Sequence, residues 1–140
     1  GNWDQRLVQK GYIEEMGERK KDFDVVVIGS SRALQIHPGM FPGKIFFNSS
    51  VTGAGLEDAI AIMQLYKKNH VGTETVIVGV DPWMFNVKNE LEDWHVIESS
   101  YNDFLKDFFH VSLFDRYRTL MHQSGTLEIR KKVKLLLISR

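Results

Sequence analysis

The stretch that most constrains the fold is Asp24-Val-Val-Val-Ile-Gly-Ser-Ser-Arg32. Its first five residues are predicted to form a buried strand, because the apolar run Val25-Val-Val-Ile28 follows Asp24, and Gly29 then ends the run. Polar side chains at the carboxyl ends of strands form the binding sites of open α/β folds. Three roles are therefore open for Ser31: a nucleophile, a clamp for a phosphate or carboxylate, or the cap of the following helix.

The composition is that of one globular domain. The chain has 140 residues, of which 43% are hydrophobic and 26% are charged. Lys+Arg and Asp+Glu balance at 18 each, so we expect no nucleic-acid partner. The absence of cysteine excludes a disulfide framework and a thiolate nucleophile. No histidine pair has the spacing of metal ligands on a helix, and we expect neither a metal nor a cofactor.

The two ends of the sequence suggest a trimmed domain. The chain begins with Gly1 instead of Met, and the apolar run 135–138 is followed by only two residues. We therefore expect residues 1–140 to form a single α/β domain that is truncated at one or both ends, with the fold incomplete at the C-terminus. No run approaches the ~18 apolar residues that cross a bilayer. A membrane anchor on the full-length protein is an expectation that rests on the trimmed start.

Hydrophobic periodicity predicts strands over 24–28, 44–48 and 75–80, and helices over 3–20 and 55–69. Strands that alternate with helical segments are typical of parallel βαβ units. The pattern therefore predicts an α/β fold, a three-layer flavodoxin-like sheet of mostly parallel strands with flanking helices. The predicted apolar faces of the two helices are Trp3, Leu7, Val8, Tyr12, Ile13 and Met16 in the first, and Leu56, Ala59, Ile60, Met63 and Tyr66 in the second.

The rest of the chain is rich in aromatic residues. Segments 90–95, 101–109 and 113–122 are predicted to be helical, and 127–138 is predicted as a basic amphipathic helix rather than an edge strand. In a parallel sheet the loops after the three strands emerge at one edge. We therefore expect loops 29–32, 48–55 and 81–86 to converge, although they are far apart in the sequence.

Three sequence blocks in these loops carry a family resemblance. Val27-Ile-Gly-Ser-Ser-Arg32, Phe47-Asn-Ser-Ser-Val-Thr-Gly-Ala-Gly-Leu-Glu-Asp58 and Val76-Ile-Val-Gly-Val-Asp-Pro-Trp83 resemble the first three blocks of the SGNH/GDSL hydrolase superfamily. More narrowly, they are similar to the Gly-x-Ser-Arg branch, which includes relatives of the D-alanine and alginate O-acyl-transfer proteins. The resemblance implies an SGNH-type fold and covers roughly residues 24–86.

The resemblance assigns catalytic roles to four residues. The family nucleophile falls on Ser31, and the backbone donors of the oxyanion hole fall near Ser50 and Gly53. The third block carries Asp81 where the family has an asparagine that donates to the oxyanion. An ionised carboxylate only accepts hydrogen bonds, so Asp81 works against ester hydrolysis unless it is neutral or paired with Arg32.

The family's last block, Asp-x-x-His, has no matching copy in this chain. Asp93-Trp-His95 has the wrong spacing, so the base would be a histidine outside the recognised blocks or beyond the chain. We expect substrate contacts from Arg32, Asn48, Trp83 and Asn86, with a turn role as the alternative for Asn48.

Two functions remain open at this stage. The first is an esterase or O-acyltransferase that acts on acyl esters of a glycan, a cell-envelope polymer or another small ester. The second is a non-catalytic module that derives from the SGNH fold and binds a carbohydrate or protein partner. The resemblance implies a location outside the cytoplasm, in the periplasm or cell envelope.

Overall fold

A computed structural model describes residues 4–86 and 92–109 of the chain. The chain divides into two compact units, Gly1–Phe104 and Leu105–Arg140, and only residues 105–109 of the second are described. Five main elements form the first unit: helix α1 (Gln5–Glu18), strand β1 (Phe23–Ile28), strand β2 (Phe46–Asn48), helix α2 (Leu56–Lys68) and strand β3 (Thr73–Val78).

The three strands form one parallel sheet in the order β2-β1-β3. Val26 in the central strand lies opposite Phe47 on one side and opposite Val76 on the other. The chain therefore places β2 on one side of β1 and then crosses to place β3 on the other. This arrangement confirms the predicted α/β class with a parallel sheet and flanking helices.

Strand β2 is shorter than predicted, because Lys44 and Ile45 do not belong to it. The carboxylate of Asp24 accepts a hydrogen bond from the Ile45 N–H at 2.6 Å. The Ile45 carbonyl accepts from the N–H groups of both Asp24 (2.8 Å) and Val25 (3.1 Å). These contacts interrupt the regular ladder at its start, so paired strand geometry begins only at Phe46.

The core joins the two helices to the central strand. Val25, Val26, Val27 and Ile28 are all at most 5% exposed, which confirms the buried strand predicted at this position. A single hydrophobic cluster unites β1 with the two helices, and its members include Ile13 and Met16 from α1, Val26 and Ile28 from β1, and Ile62 and Leu65 from α2.

The predicted apolar face of α1 is wrong at its first turn. Leu7 and Val8 are about half exposed, while Arg6 is buried. The reason is an ion pair, because the Nε of Arg6 lies 2.6 Å from Oδ1 of Asp58 in the first turn of α2. The helix turns its charged side chain inward to meet this carboxylate.

The predicted face of α2 is also wrong in part. Leu56 and Met63 are each 38% exposed, while Ala61, Ile62 and Leu65 are buried. Asp58 in the first turn of α2 is also buried, beside Arg6. The end charges follow the prediction, with acidic residues in the first turn and Lys67 and Lys68 in the last.

Residues 98–109 are helical, as predicted for 101–109. A short 3-10 turn, Asp93–Ile97, replaces the helix predicted over 90–95 as far as that segment is described. The helices predicted over 113–122 and 127–138 lie outside the described residues. Within the described ranges, no helix is long and apolar enough to cross a membrane.

Candidate functional site

The three predicted loops meet at the carboxyl end of β1, which confirms their expected convergence. The Gly79 N–H donates to the Ile28 carbonyl at 2.8 Å, which brings the end of β3 beside the end of β1. The Val51 N–H donates to the Gly29 carbonyl at 2.9 Å, which holds the second loop against the first. In a parallel sheet whose chain crosses over in this way, a crevice forms between the strand ends.

Gly29 makes this close approach sterically feasible. A Cβ built on Gly29 would lie 2.7 Å from the Cβ of Ala33 and 3.2 Å from the Cα of Gly79. Either distance is too short for an unshifted side chain. The glycine that ends β1 in the sequence therefore also allows the ends of β1 and β3 to lie together.

A polar triad, buried at Ser30 and Asp81 and exposed at Arg32, joins the first and third loops. The Ser30 hydroxyl, 1% exposed, donates to Oδ2 of Asp81, which is 6% exposed. The Arg32 guanidinium donates from Nη1 to Oδ1 of the same carboxylate at 3.2 Å. The Arg32 backbone N–H donates to the Ser30 hydroxyl oxygen at 3.3 Å. Each carboxylate oxygen of Asp81 thus accepts from a side chain of the first loop.

Arg32 is held in place by two contacts although its side chain is 69% exposed. Its Cζ lies 4.7 Å from the ring centroid of Trp83, which is a cation–π distance. Asp81 binds one side of the same guanidinium. These two contacts fix the orientation of the Arg32 side chain at the surface of the site.

Ser31 lies at the surface of the same turn. It is exposed, and its hydroxyl has no hydrogen-bond partner in the described part of the chain. The short turn that follows, Ala33–Gln35, has no side-chain cap, and the Ala33 N–H donates to the Ser30 carbonyl. Ser31 therefore does not cap the next helix, which removes one of the three roles that the sequence left open.

Asn48 bonds the backbone around the site. Its Nδ2 donates to the carbonyls of Ala33 (2.8 Å) and Ile36 (2.9 Å), and its Oδ1 accepts from the Ser50 N–H at 3.0 Å. Both ends of the amide are thus engaged, in the turn role that the sequence offered as the alternative to substrate contact. The Ser50 N–H that the resemblance assigns to the oxyanion hole already bonds Asn48, while the buried Ser50 hydroxyl has no partner among the described residues.

Side chains from α1 and α2 clamp the loop that carries Gly53. The Thr52 N–H donates to Oε1 of Gln5 at 2.7 Å, and the Thr52 carbonyl accepts from Arg6 Nη2 at 3.4 Å. At the other end of the loop, the Gly55 N–H donates to Oδ2 of Asp58 at 2.8 Å. Gly53 lies between the two clamps.

Gly53 adopts a positive φ of 65°, which favours glycine. Its N–H has no acceptor within the described ranges, so this amide remains available to a ligand. The clamp on either side holds the loop backbone in one conformation around it.

The ion pair that forms this clamp is nearly solvent-free. Arg6 is 5% exposed and Asp58 is 0% exposed. Burial lowers the pKa of the Arg6 guanidinium, but the hydrogen bond and charge of Asp58 outweigh it, so the pKa is raised overall. A basic residue in the first turn opposes the helix macrodipole, and this was the available sequence signal that Arg6 has a specific partner.

Behind the site, Ser49 and Tyr66 form a second buried polar contact. Their hydroxyl oxygens lie 2.6 Å apart. Burial raises the pKa of Tyr66 to about 12, although the hydrogen bond from Ser49 acts in the opposite direction. The phenol therefore stays neutral and fixes the start of the second loop against α2.

The remaining predicted residues lie at the rim or away from the site. Asn86 is exposed at the end of the Pro82–Phe85 turn, and its N–H donates to the Trp83 carbonyl at 3.1 Å. The Nδ1 of His95 lies 3.5 Å from Oε2 of Glu98. No histidine of the described ranges bonds to Ser31. His110 and His122 lie outside those ranges. Among the residues that the structure describes, no three potential metal ligands cluster.

Sequence reasoning did not identify Ser30 and Arg6 as site residues. Ser30 was overlooked because the resemblance directs attention to the next serine in the Gly29-Ser-Ser-Arg32 turn. The chain was compared with protein-family models, with curated proteins and with solved structures, and no match was found in any of the three.

Proposed function

We propose that this chain is an SGNH-type serine esterase or O-acyltransferase domain. The observation that carries the proposal is the exposed Ser31, which lies in the turn after the buried strand β1 and precedes Arg32 of the Asp81–Arg32 pair. A nucleophile must be accessible, while the groups that support it must be held by the fold. The first turn combines an accessible hydroxyl at Ser31 with a buried one at Ser30.

In the proposed reaction, the Ser31 Oγ attacks the carbonyl carbon of an acyl ester. Its proton passes to the imidazole of a histidine outside the three recognised blocks, and the carbonyl π electrons move onto oxygen to form an oxyanion. Collapse of this intermediate re-forms the carbonyl and breaks the bond to the alcohol, which takes the proton from the imidazolium. Water or a second hydroxyl then accepts the acyl group from Ser31 by the same steps in reverse.

Backbone amides of the clamped second loop are suited to hold that oxyanion. The Gly53 N–H has no acceptor within the described residues, and Thr52 and Gly55 on either side of it are fixed by α1 and α2. A donor that is fixed before the reaction needs no reorganisation when the negative charge develops.

The proposal extends to fold, substrate and location. The order β2-β1-β3 is consistent with the first half of a three-layer flavodoxin-like sheet of SGNH type. The proposed substrate is an acylated glycan, another acylated cell-envelope polymer or a small ester. The proposed location is the periplasm or cell envelope.

A fluorophosphonate probe tests the catalytic proposal, because it reacts with activated serine hydroxyls. We expect it to label the wild type and to leave Ser31→Ala unlabelled. Ser99→Ala is the control, because Ser99 is exposed in the helix over 98–109, and it should keep a labelled Ser31, identified by peptide mass spectrometry. An unlabelled wild type that also fails to hydrolyse p-nitrophenyl acetate would contradict the proposal.

A second candidate is a non-catalytic binding module for a carbohydrate or protein. The observation that favours it is the engagement of Asp81, whose two oxygens each accept a hydrogen bond, from Ser30 and from Arg32, while no histidine of the described ranges bonds to Ser31. Thermal-shift titration with acylated oligosaccharides would distinguish the two. Stabilisation that survives Ser31→Ala, with no ester turnover by the wild type, would favour the binding module.

A further inference from the structure

The third block of the site has a carboxylate where the resemblance calls for a hydrogen-bond donor. Asp81 is 6% exposed, and an ionised carboxylate has four lone-pair positions and no hydrogen to give. A bare carboxylate here would repel the oxyanion of an acyl-transfer step. If the proposed function is correct, another group must supply the donor.

The structure contains a donor bound directly to this carboxylate. The Arg32 Nη1 donates to Oδ1 of Asp81 at 3.2 Å, and the face of its guanidinium lies against Trp83 with Cζ 4.7 Å from the ring centroid. Ser30 donates to the other oxygen of Asp81. One oxygen of Asp81 thus accepts from the buried Ser30, and the other oxygen holds the exposed Arg32.

The outer edge of that guanidinium is open. A guanidinium carries five N–H donors, and those on Nε and Nη2 of Arg32 have no acceptor in the part of the chain that is described. The side chain is 69% exposed, and it belongs to the residue that follows Ser31. The anchored cation therefore presents donors to solvent from the residue that directly follows the exposed Ser31.

We infer that Arg32 is the side-chain oxyanion donor of this site, alongside the Gly53 N–H of the second loop, and that Asp81 is the anchor that holds it. The inference rests on the proposed function. Together the two residues replace the family's asparagine amide. Asp81 accepts hydrogen bonds from Ser30 and Arg32, and the remaining N–H groups of Arg32 donate to the oxyanion. A positive charge is also the stronger donor, because charge-assisted hydrogen bonds are about twice as strong as neutral ones.

The test compares variants in the hydrolysis of p-nitrophenyl acetate and in fluorophosphonate labelling. Arg32→Gln removes the cation and leaves Asp81 uncompensated, so kcat should fall by roughly 10²- to 10³-fold with KM unchanged, as for loss of one oxyanion donor. The kcat of Arg32→Lys should lie between the kcat of Arg32→Gln and that of the wild type. Arg19→Gln is the matched control, because Arg19 is exposed and pairs with Glu15 on α1, and it should behave as the wild type.

A double variant makes the test specific to the donor role. Asp81→Asn added to Arg32→Gln removes the repelling carboxylate and provides an amide donor, so the double variant should be faster than Arg32→Gln alone. A purely structural role for the ion pair predicts that the second change restores folding stability, because it removes the unpaired charge, but does not raise the kcat of the folded protein. Circular dichroism at the assay temperature confirms that each variant is folded.

The outcomes separate this inference from the proposed function. A wild type labelled at Ser31, together with an Arg32→Gln variant of undiminished kcat, would overturn the donor role of Arg32 and leave the esterase proposal standing. A loss confined to KM, or a double variant no faster than Arg32→Gln, would overturn it as well. A wild type that is neither labelled nor active would overturn the proposed function and this inference with it.

Discussion

Ser30 donates its hydroxyl hydrogen to the carboxylate of Asp81, a residue 51 positions further along the chain. The bond links the ends of β1 and β3 and is nearly removed from solvent, since Ser30 is 1% and Asp81 6% exposed. It also brings Arg32 to the same carboxylate. The geometry of the candidate site therefore depends on Ser30, although the resemblance assigns the nucleophile role to its neighbour Ser31.

Ser30→Ala should destabilise the protein, whereas Ser31→Ala should not. Removal of the Ser30 hydroxyl leaves one oxygen of the buried Asp81 without a donor, which costs about 1–3 kcal/mol of unfolding free energy. Ser31 is exposed and unbonded in the described structure, so its truncation should change stability by less than about 0.5 kcal/mol. Urea denaturation measures both, and equal losses for the two variants would contradict the assigned burial.

Arg6→Met should be among the most damaging single changes. It leaves Asp58, which is 0% exposed, as an unpaired buried charge, at an expected cost of about 3–5 kcal/mol. Arg19→Met, at the C-cap of the same helix, removes an exposed pair with Glu15 and should cost less than about 1 kcal/mol.

Adding Asp58→Leu to Arg6→Met should recover part of the lost stability, because it removes the unpaired charge. Chemical denaturation of the single and double variants checks this expectation. A double variant less stable than Arg6→Met would show that the pair contributes more than mutual charge compensation.

Replacement of Gly29 and of Gly11 by alanine should change the unfolding free energy in opposite directions. In Gly29→Ala the new Cβ meets Ala33 Cβ at 2.7 Å and the Gly79 carbonyl oxygen at 3.1 Å, so overpacking should cost about 1–3 kcal/mol. In Gly11→Ala, within α1, the new Cβ meets nothing within 4 Å, and the better helix propensity should add about 0.5–1 kcal/mol. Thermal denaturation of each variant shows whether its stability rises or falls. A Gly29→Ala variant more stable than the wild type would refute the close approach of β1 and β3.

The protein should lose stability between about pH 10 and 12 because of Tyr66. Burial raises its pKa from 10.0 to about 12 in the folded state. Below pH 10 the phenol is protonated in both states and its contribution is complete. Between the two pKa values the unfolded chain releases the proton first, so the unfolding free energy falls by up to about 1.4 kcal/mol per pH unit.

Denaturation across this pH range, in the wild type and in Tyr66→Phe, isolates the contribution. The phenylalanine variant should lose the additional slope, since it has no proton to release at this position. Its stability at neutral pH should be lower by about 1 kcal/mol, because the hydroxyl of Ser49 loses its partner. An unchanged slope in the variant would assign the pH dependence to another group.

Local sequence features predicted most of the secondary structure of the described region. The valine run before Gly29 indicated a buried strand because an apolar run bounded by a breaker suits a central parallel strand. The charges at both ends of α2 indicated its direction and limits because they complement the helix dipole. The apolar faces of α1 and α2 were predicted less well, since hydrophobicity does not reveal that Arg6 and Asp58 compensate each other's burial.

The sequence by itself determined where β1 ends, that polar loops follow the strands, and that Ser31 lies in the first of them. Only the tertiary structure decided that Ser30 is the serine bonded to Asp81 and that Arg32 is fixed against Trp83. The physical reason is that strand and turn signals are local, acting over a few neighbouring residues. A hydrogen bond between residues 51 positions apart forms only once the sheet has brought the ends of β1 and β3 together.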